Sequence, residues 1–458
     1  MRKAWGTRLG FYLAAVGSAC GLGNLWRFPY VVGQNGGGAF VLIYILLALV
    51  LGLPLLIGEL ILGKSTGKSL MSALDVLQGR WSKRLRWVGV GGIAMAMVIL
   101  SYYAVISGWV LHFVTQLSVG LITGNHPSAR SMMMILQNNG WLQVLLASVH
   151  WLFSVTVVLN GVQRGLERAV GLMMPVFGIL VVILLYQTFY LPVYSSSSED
   201  ALRFMFYPDF SKLSLSSLQQ AIGHVCFTLS VGFGTMVTFG SYLKTDENIP
   251  EAGFRLTVMD TCLSIVAGLL IFSVAIQAGN PSSTVTRTDS RLLFEVLPRF
   301  LYEIPGGMVF GFLFFSCLYL AALGGSIALL EVVVSNLEDR YHWPRIRATW
   351  ACGFIGLVLS LGPALSSSSF SFVRYQGKGL LEILDGVLIN WFLPIMALGI
   401  SLVVSYGLSK VQKERFFVNT GQVETEALFF YWRLATKWVI PGLIVLGFAM
   451  RIFSAVAV

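Results

Sequence analysis

The sequence predicts an all-α polytopic membrane protein with about 11 transmembrane helices. Of its 458 residues, 56% are hydrophobic and only 11% are charged, and the mean hydropathy is +0.77. Soluble globular domains carry roughly 25% charged residues. The apolar residues also gather in runs of about twenty, the length that crosses roughly 30 Å of hydrocarbon. Finally, the net charge of +10 comes from short basic clusters between these runs, so nucleic-acid binding is not expected.

Eleven spans follow one another along the chain. The first comes after a short basic tail, and because no small-residue cleavage site follows it, we interpret it as a membrane span and not as a signal peptide. The predicted spans are 9–33, 38–63, 87–119, 142–160, 165–191, 215–243, 254–278, 305–337, 348–364, 380–408 and 429–456.

The basic residues predict the orientation of these spans. With the N-terminus inside, 21 of the 31 Lys and Arg residues lie in inner segments, nine lie in outer segments, and Arg27 lies within a span. Short loops rich in Lys and Arg stay on the cytoplasmic side. We therefore expect a multi-pass protein of the cell inner (plasma) membrane with a cytoplasmic N-terminus.

Spans 1 and 6 differ from the others because glycine and polar residues interrupt each near its centre. Span 1 contains GSACGLGN at 17–24, and span 6 contains FTLSVGFGT at 227–235. They are five spans apart, as expected of two inverted halves, and paired interruptions indicate a transporter's binding site. A break frees backbone groups that hydrocarbon cannot satisfy, so an anion and a cation are the expected occupants. The alternative is that these glycines only allow close helix packing.

The ordered motifs of the chain resemble those of the neurotransmitter:sodium symporter family, bacterial amino-acid transporter branch. The resemblance covers nearly the whole chain, and it implies a leucine-transporter-type fold with a 5+5 inverted repeat. The single transmembrane domain, 1–458, would then comprise repeats at 9–191 and 215–408 and an extra span at 429–456. The motifs are GSACGLGNLWRFPY (17–30), QNGGGAF (34–40), Glu59 in LPLLIGELILG, Tyr102-Tyr103, the span 6 segment, SIALLEVVVSNLEDR (326–340) and Asp385.

The resemblance implies an amino-acid substrate. Its carboxylate would meet the amides around Leu22 and Gly23 and the hydroxyl of Tyr103. Gly21 stands where family members that carry monoamines have an aspartate, so it leaves room for a substrate with its own carboxylate. The apolar and aromatic pocket implies a neutral, hydrophobic or aromatic amino acid. The implied substrate-binding residues are Ala19, Gly21, Leu22, Gly23, Ile99, Tyr103, Phe227, Ser230, Phe233, Gly325 and Leu329.

The coupled sodium ion has a first implied site at Ala19, Asn24, Thr228 and Asp260. Many relatives have asparagine where this chain has Asp260. An ionised carboxylate in mid-membrane costs about 2.5–3.5 kcal/mol, so a paired cation is expected beside it. Its fixed negative charge also predicts chloride independence. Chloride-dependent relatives hold that anion at positions that match Tyr44, His224, Thr228 and Ser264.

A second implied sodium site departs from the family pattern. Gly324 and Gly325 stand where two side-chain oxygens of span 8 are expected. We expect this site to be weakened or absent, unless water completes it or a shift brings in Ser326. Its remaining implied ligands are the carbonyls of Gly17, Cys20 and Ala321.

The resemblance also implies a gate at each end of the site. Arg27 and Asp385 would form the outer ion pair, and a buried arginine in a membrane span otherwise has no ordinary explanation. The implied inner gate comprises the pair Arg2 and Asp339, assisted by Trp5, Ser241 and Tyr242.

The expected function is therefore sodium-coupled symport of an amino acid by alternating access within the lipid bilayer. No HExxH motif, GxSxG motif or histidine pair at ligand spacing indicates an enzyme, and no repeated pore loop indicates a channel. Two alternatives stay open, a proton-coupled amino-acid transporter and a transporter-like receptor that binds an amino acid without carrying it. His224 is either a titrating group or an ordinary hydrogen-bonding residue. The oligomeric state is not predicted.

Overall fold

The computed structural model of this chain is helical in every regular element that it describes, which confirms the predicted all-α class. Arg2, predicted to belong to the inner gate, lies outside the described residues. Those residues are 4–77, 84–124, 129–190, 192–243, 247–277, 293–294, 297–298, 306–366, 379–418 and 424–456.

Ten helices in these ranges are long and apolar enough to cross a membrane, and their bounds agree with the predicted spans to within a few residues. The remaining predicted span, 215–243, is split into two shorter helices. In chain order the membrane helices are α1 (Arg8–Gln34), α2 (Gly38–Thr66), α3 (Arg86–Thr123), α4 (Gly140–Leu159), α5 (Val162–Tyr190), α6 (Ser217–Thr228 and Thr235–Gly240), α7 (Ile249–Ile276), α8 (Gly307–Tyr341), α9 (Arg345–Ser366), α10 (Leu380–Gly407) and α11 (Glu426–Phe453).

Shorter helices connect several of these spans. They keep the connections compact, and one of them, between α10 and α11, carries a buried lysine. The connecting helices are Leu70–Val76, Ala129–Asn138, Pro192–Phe206, Phe210–Lys212 and Lys410–Val418.

Both predicted interruptions are present. The regular turns of α1 end at Ala19 and resume at Gly23 with a wider π-helical turn. In α6, residues 229–234 form a series of turns between the two halves. Ser230, Gly232 and Gly234 have φ angles of 53°, 100° and 84°, in a region where a glycine has no steric cost and a serine is strained.

The helices form a buried centre and a lipid-facing shell. In the most apolar stretch of each helix, 83% of the residues of α1 and 89% of those of α8 are buried, against 33% for α5 and 22% for α11. Irregular backbone is tolerated at membrane depth only where protein covers it. The breaks therefore lie in the one part of the bundle where exposed backbone groups can be satisfied.

Candidate functional site

The break in α1 leaves two backbone carbonyls, those of Gly17 and Ser18, without their usual helical hydrogen-bond donors. In a continuous helix, the N–H groups of Gly21 and Leu22 would bond to the carbonyls of Gly17 and Ser18. Instead, the Gly21 N–H donates to the Ala19 carbonyl at 2.8 Å, and the Leu22 N–H donates to the Tyr103 hydroxyl at 2.9 Å. The break therefore presents polar backbone groups in the centre of the bundle.

The break in α6 lies directly against the break in α1. The Ser230 hydroxyl lies 3.0 Å from both the hydroxyl and the carbonyl oxygen of Ser18. From the side of α2, the fully buried Glu59 accepts a hydrogen bond from the Gly232 N–H at 2.6 Å. This carboxylate lies near the N-terminus of the second half of α6, where the helix dipole favours an anion. Side chains thus hold the two breaks together.

The Tyr103 hydroxyl lies where α1, α3 and α8 meet. A Cβ atom added to either Gly21 or Gly325 would lie 2.6 Å from the Tyr103 hydroxyl oxygen. Glycine at both positions therefore permits the position of this hydroxyl beside the Leu22 N–H. The structure brings these four predicted substrate-binding residues together.

The other predicted pocket residues are buried as well. A Cβ atom added to Gly23 would lie 3.1 Å from the ring of Phe227, so the second half of α1 packs closely against α6. The remaining residues are buried on α1, α3, α6 and α8, and their contacts with a substrate stay predictions. They are Ala19, Ile99, Phe233 and Leu329.

Asn24 and Asp260 form the polar centre next to the α1 break. The Asn24 amide nitrogen lies 2.7 Å from Asp260 Oδ1, 3.1 Å from the Asp260 carbonyl and 2.9 Å from the Ser264 hydroxyl. The Tyr44 hydroxyl also donates to Asp260 Oδ2 at 3.3 Å, and the Thr228 hydroxyl lies beside the same carboxylate. The structure thus brings three of the four predicted ligands of the first sodium site into one network.

The oxygen of the Asn24 amide makes this network suitable for a hard cation. Because the nitrogen end of the amide faces three acceptors on α7, its oxygen faces the other way. Within the described part of the chain, Asn24 Oδ1 is buried and has no hydrogen-bond partner. An orphaned amide oxygen beside a buried carboxylate is a donor set that fits a sodium ion.

His224 links this polar centre to the outer side of α1. Its Nδ1 atom lies 3.3 Å from Arg27 Nη1, and its ring packs against Phe28 and Tyr44 with centroid distances of 5.5 and 5.3 Å. A guanidinium group only donates, so Nδ1 accepts. This contact favours the interpretation of His224 as a hydrogen-bonding residue.

At the second predicted sodium site, α8 has glycine at positions 324 and 325. A Cβ atom added to Gly324 would lie only 2.8 Å from the Gly17 carbonyl oxygen, so α8 approaches α1 by backbone contact. The Ser326 hydroxyl lies 2.7 Å from His150 Nε2 on α4. It therefore takes part in a contact with α4, which argues against its recruitment toward α1.

At the end of the site that is predicted to face outward, Arg27 is 1% exposed. Its Nε atom lies 3.4 Å from Asp385 Oδ2, and its Nη2 atom donates to the Asn390 side chain at 3.0 Å. The Tyr30 and Tyr102 hydroxyls bond to the same Asp385 carboxylate at 3.1 and 3.3 Å. We call these five residues the outer cluster.

At the opposite end, which is predicted to face the cytoplasm and is called the inner end below, Trp5 is 2% exposed. Its backbone N–H donates to the Tyr242 carbonyl at 3.0 Å, and its indole N–H donates to the Phe239 carbonyl at 3.2 Å. Its ring packs edge-on against Phe11, Phe239 and Tyr242. Nearby, Asp339 accepts hydrogen bonds from the backbone and the hydroxyl of Ser69.

A family model described as the sodium:neurotransmitter symporter family matches residues 2–122 and 126–457. The chain belongs to this family. This match confirms the resemblance that the motifs indicate. Members of the sodium:neurotransmitter symporter family are membrane transporters and not enzymes.

Individual relatives agree with the family. A sodium-dependent transporter of Bacillus subtilis, YhdH, is 32% identical over 97% of this chain and 96% of its own length. The sodium-dependent nutrient amino acid transporter 1 of Drosophila melanogaster is 24% identical over 100% of this chain and 78% of its own. The crystal structure of MhsT with L-phenylalanine superposes with a TM-score of 0.87, at 30% identity over 98% of this chain and all of that one.

Two residues of the inner end were missed by the sequence reasoning. Glu167, in the second turn of α5, accepts hydrogen bonds from the N–H groups of Gly6 and Thr7 at 2.9 and 3.0 Å and from the Thr7 hydroxyl at 2.6 Å. The Gln163 amide donates to the Ala4 carbonyl at 2.8 Å. The available signal was an acidic residue inside the basic segment QRGLER, opposite a basic tail.

Proposed function

We propose that this member of the sodium:neurotransmitter symporter family carries neutral, hydrophobic or aromatic amino acids together with sodium, by alternating access. The observation that carries the proposal is the junction of the two broken helices, where a backbone N–H and the Tyr103 hydroxyl lie near the Asn24–Asp260 network. We infer a location in the inner (plasma) membrane with a cytoplasmic N-terminus, supported by the distribution of basic residues.

The junction has the chemistry that a zwitterion needs. The amide of Leu22 and the Tyr103 hydroxyl offer donors to a carboxylate at the start of a half-helix. The Ala19 carbonyl, at the end of the other half, is an acceptor for the amino group. The pocket residues beyond them are apolar or aromatic, and MhsT, a relative of the same fold, has been crystallised with L-phenylalanine. These features support a large neutral side chain.

The sodium ion would lie between Asn24 and Asp260 on one side and the substrate carboxylate on the other. The orphaned Asn24 oxygen supports this place. The Asp260 carboxylate places a negative charge next to the sodium ion, so a chloride ion is not needed to balance the charge of the sodium. We therefore propose transport that does not depend on chloride.

We propose a single coupled sodium ion, because α8 offers only backbone and glycine at the second predicted site. The contact between Gly324 and the Gly17 carbonyl supports this stoichiometry. Two charges moved per neutral substrate, measured as current against uptake, would overturn it.

The decisive experiment is uptake of labelled L-phenylalanine, L-leucine, L-alanine, L-lysine and L-glutamate into proteoliposomes. Separate arms have an inward Na⁺ gradient, an inward H⁺ gradient or neither, each with chloride or gluconate. We expect accumulation of the neutral amino acids only with Na⁺, and equally in both anions. Accumulation with the H⁺ gradient alone would show that the transporter is coupled to protons and not to sodium. Proton coupling is the second candidate because the second sodium site is incomplete. Binding without accumulation would indicate a receptor.

The substrate pocket can be tested separately from the coupled ion. Leu329→Phe should narrow it, so that L-phenylalanine competes about tenfold less well relative to L-alanine, since the loss of a buried ring's contacts exceeds about 1.4 kcal/mol. The control is Val309→Phe, at a half-exposed position of the same helix. An unchanged ratio for Leu329→Phe would remove Leu329 from the pocket.

A further inference from the structure

Three basic residues cluster where the connection between α10 and α11 meets the start of α11. Lys413 belongs to the connecting helix Lys410–Val418, and Arg433 and Lys437 are one helical turn apart on α11. The Lys413 side chain is buried, and its ammonium group donates to the Ser405 carbonyl at 2.8 Å and to the Val404 carbonyl at 3.4 Å. It thereby holds the connecting helix against the last turns of α10.

This cluster is at the same end of the bundle as Trp5. Lys64 of α2 lies over the ring of Phe416, next to Lys413 in the connecting helix, at 5.7 Å, and donates to the Glu247 carbonyl at 3.0 Å. Glu247 in turn pairs with Arg8, the first residue of α1, at 2.7 Å. We expect this end to face the cytoplasm, so the cluster would lie at the inner membrane surface.

The three cations of this cluster are not paired with a carboxylate in the part of the chain that the structure describes. Within the described residues, none of them forms an ion pair with Asp or Glu, whereas other cations at this end do. Two like charges one turn apart on a helix are unfavourable. Burial, together with the charges of Arg433 and Lys437, lowers the pKa of Lys413 to about 8. The protein therefore concentrates positive charge here that it does not itself neutralise.

Aromatic rings place the cluster at a lipid surface. The Lys437 ammonium lies 5.6 Å from the ring centroid of Tyr406 and 5.4 Å from that of Trp438. These two rings are 38% and 63% exposed, on helices whose outer faces are apolar. Rings of this type at the end of a membrane helix lie at the level of the lipid headgroups.

We propose that Arg433 and Lys437, with the buried charge of Lys413 behind them, bind the phosphate group of an anionic phospholipid. The guanidinium of Arg433 and the ammonium of Lys437 would face the phosphate oxygens, and Tyr406 and Trp438 would pack against the glycerol and upper acyl region. The exposed rings and the apolar face of α11 favour a lipid over a soluble phosphate, because a soluble ion would leave this surface uncovered. The proposal does not depend on the identity of the transported substrate.

The test compares lipid binding by two doubly substituted full-length proteins. Arg433→Gln with Lys437→Gln removes two cations of the cluster and leaves the buried Lys413 in place. The matched control is Arg255→Gln with Arg340→Gln, which removes two cations that pair with Glu251 and Asp75. Native mass spectrometry counts bound phosphatidylglycerol, and thermal unfolding is followed in detergent with phosphatidylglycerol, phosphatidylcholine or inorganic phosphate.

We expect phosphatidylglycerol, but not phosphatidylcholine, to stabilise the unsubstituted protein and the control. In the cluster variant its affinity should fall about thirtyfold, from the loss of two cations near an anionic lipid. Equal lipid binding by both variants would overturn the proposal. Stabilisation by inorganic phosphate at the same concentration would also overturn it, in favour of a site for a soluble anion.

Discussion

The two ends of the candidate site are closed by different kinds of contact. The outer cluster joins α1, α3 and α10 through bonds between side chains, around one buried ion pair, Arg27–Asp385. At the inner end, by contrast, most of the bonds that hold residues 4–7 involve backbone groups. Trp5 donates to two carbonyls of α6, and Glu167 accepts from the backbone of Gly6 and Thr7.

This difference indicates how each side can open. Rotation of a few side chains can break the outer cluster while the backbone stays in place. The inner contacts can break only if the segment before α1 moves away from α5 and α6 as a unit. We therefore expect outward opening to be a local change and inward opening to be a displacement of the chain near Trp5.

The largest effect is expected at the buried ion pair. Asp385→Asn would leave the Arg27 guanidinium buried without an anion, at a cost of about 3–5 kcal/mol. Uptake should therefore fall more than about 100-fold. The control is Glu382→Gln, one turn earlier on α10. Near-normal uptake by Asp385→Asn would mean that closure outside does not need the ion pair.

Trp5→Ala should have the next largest effect and should act on the backbone. Loss of a buried indole costs about 3–5 kcal/mol, so residues 4–19 should exchange their amide hydrogens faster and substrate should bind about tenfold more weakly. Hydrogen exchange with mass spectrometry measures the first and radioligand binding the second. Trp87→Ala, at a half-exposed position of the same end, is the control. Unchanged exchange in residues 4–19 would contradict an inner gate that involves the main chain.

Glu167→Ala should loosen the same segment less. It removes the acceptor of the Gly6 and Thr7 amides at a partly solvated site, worth about 1–2 kcal/mol, so exchange at these amides should rise about tenfold. Gly10→Ala should act in the same direction, because its methyl group would overlap the Glu167 carboxylate. Glu251→Ala, which removes a glutamate paired with Arg255, should have no effect. If all three variants exchange alike, Glu167 does not hold the segment.

Tyr30→Phe should give the smallest effect. It removes one of the hydroxyls that bond to Asp385 and leaves the ion pair intact, which is worth about 1 kcal/mol. The apparent substrate affinity should fall about fivefold, with no change in the hydrogen exchange of residues 4–19. A change in that exchange would show that the two ends are coupled more tightly than their contacts indicate.

The sequence was sufficient to predict the fold because the pattern that decides it is local. Runs of apolar residues predict the spans, and the glycines near 21 and 232 predict the breaks. The sequence predicted α6 as one span, 215–243, because hydropathy does not distinguish a helix from a series of turns. The positive φ angles of Ser230 and Gly232 show the turns in the structure.

The site was predictable where a motif carries it and not where distant segments meet. Asn24, Tyr103 and Arg27 belong to recognisable motifs. Glu167 contacts residues about 160 positions away, and its role depends on an approach of α5 to the N-terminal segment that no local pattern contains. The orientation of Ser326 toward His150 was likewise beyond prediction, since it depends on how α4 and α8 pack.

The contact of Gly324 with the Gly17 carbonyl bears on how steep an amino-acid gradient a cell could maintain. Each sodium ion that enters with the substrate adds the energy of one charge crossing the membrane potential, about 2.3 kcal/mol at 100 mV. That energy corresponds to roughly a fiftyfold ratio of internal to external concentration. A carrier limited to one ion cannot reach this additional concentration ratio. It also admits fewer sodium ions for each amino acid taken up, so it suits surroundings where the amino acid is plentiful.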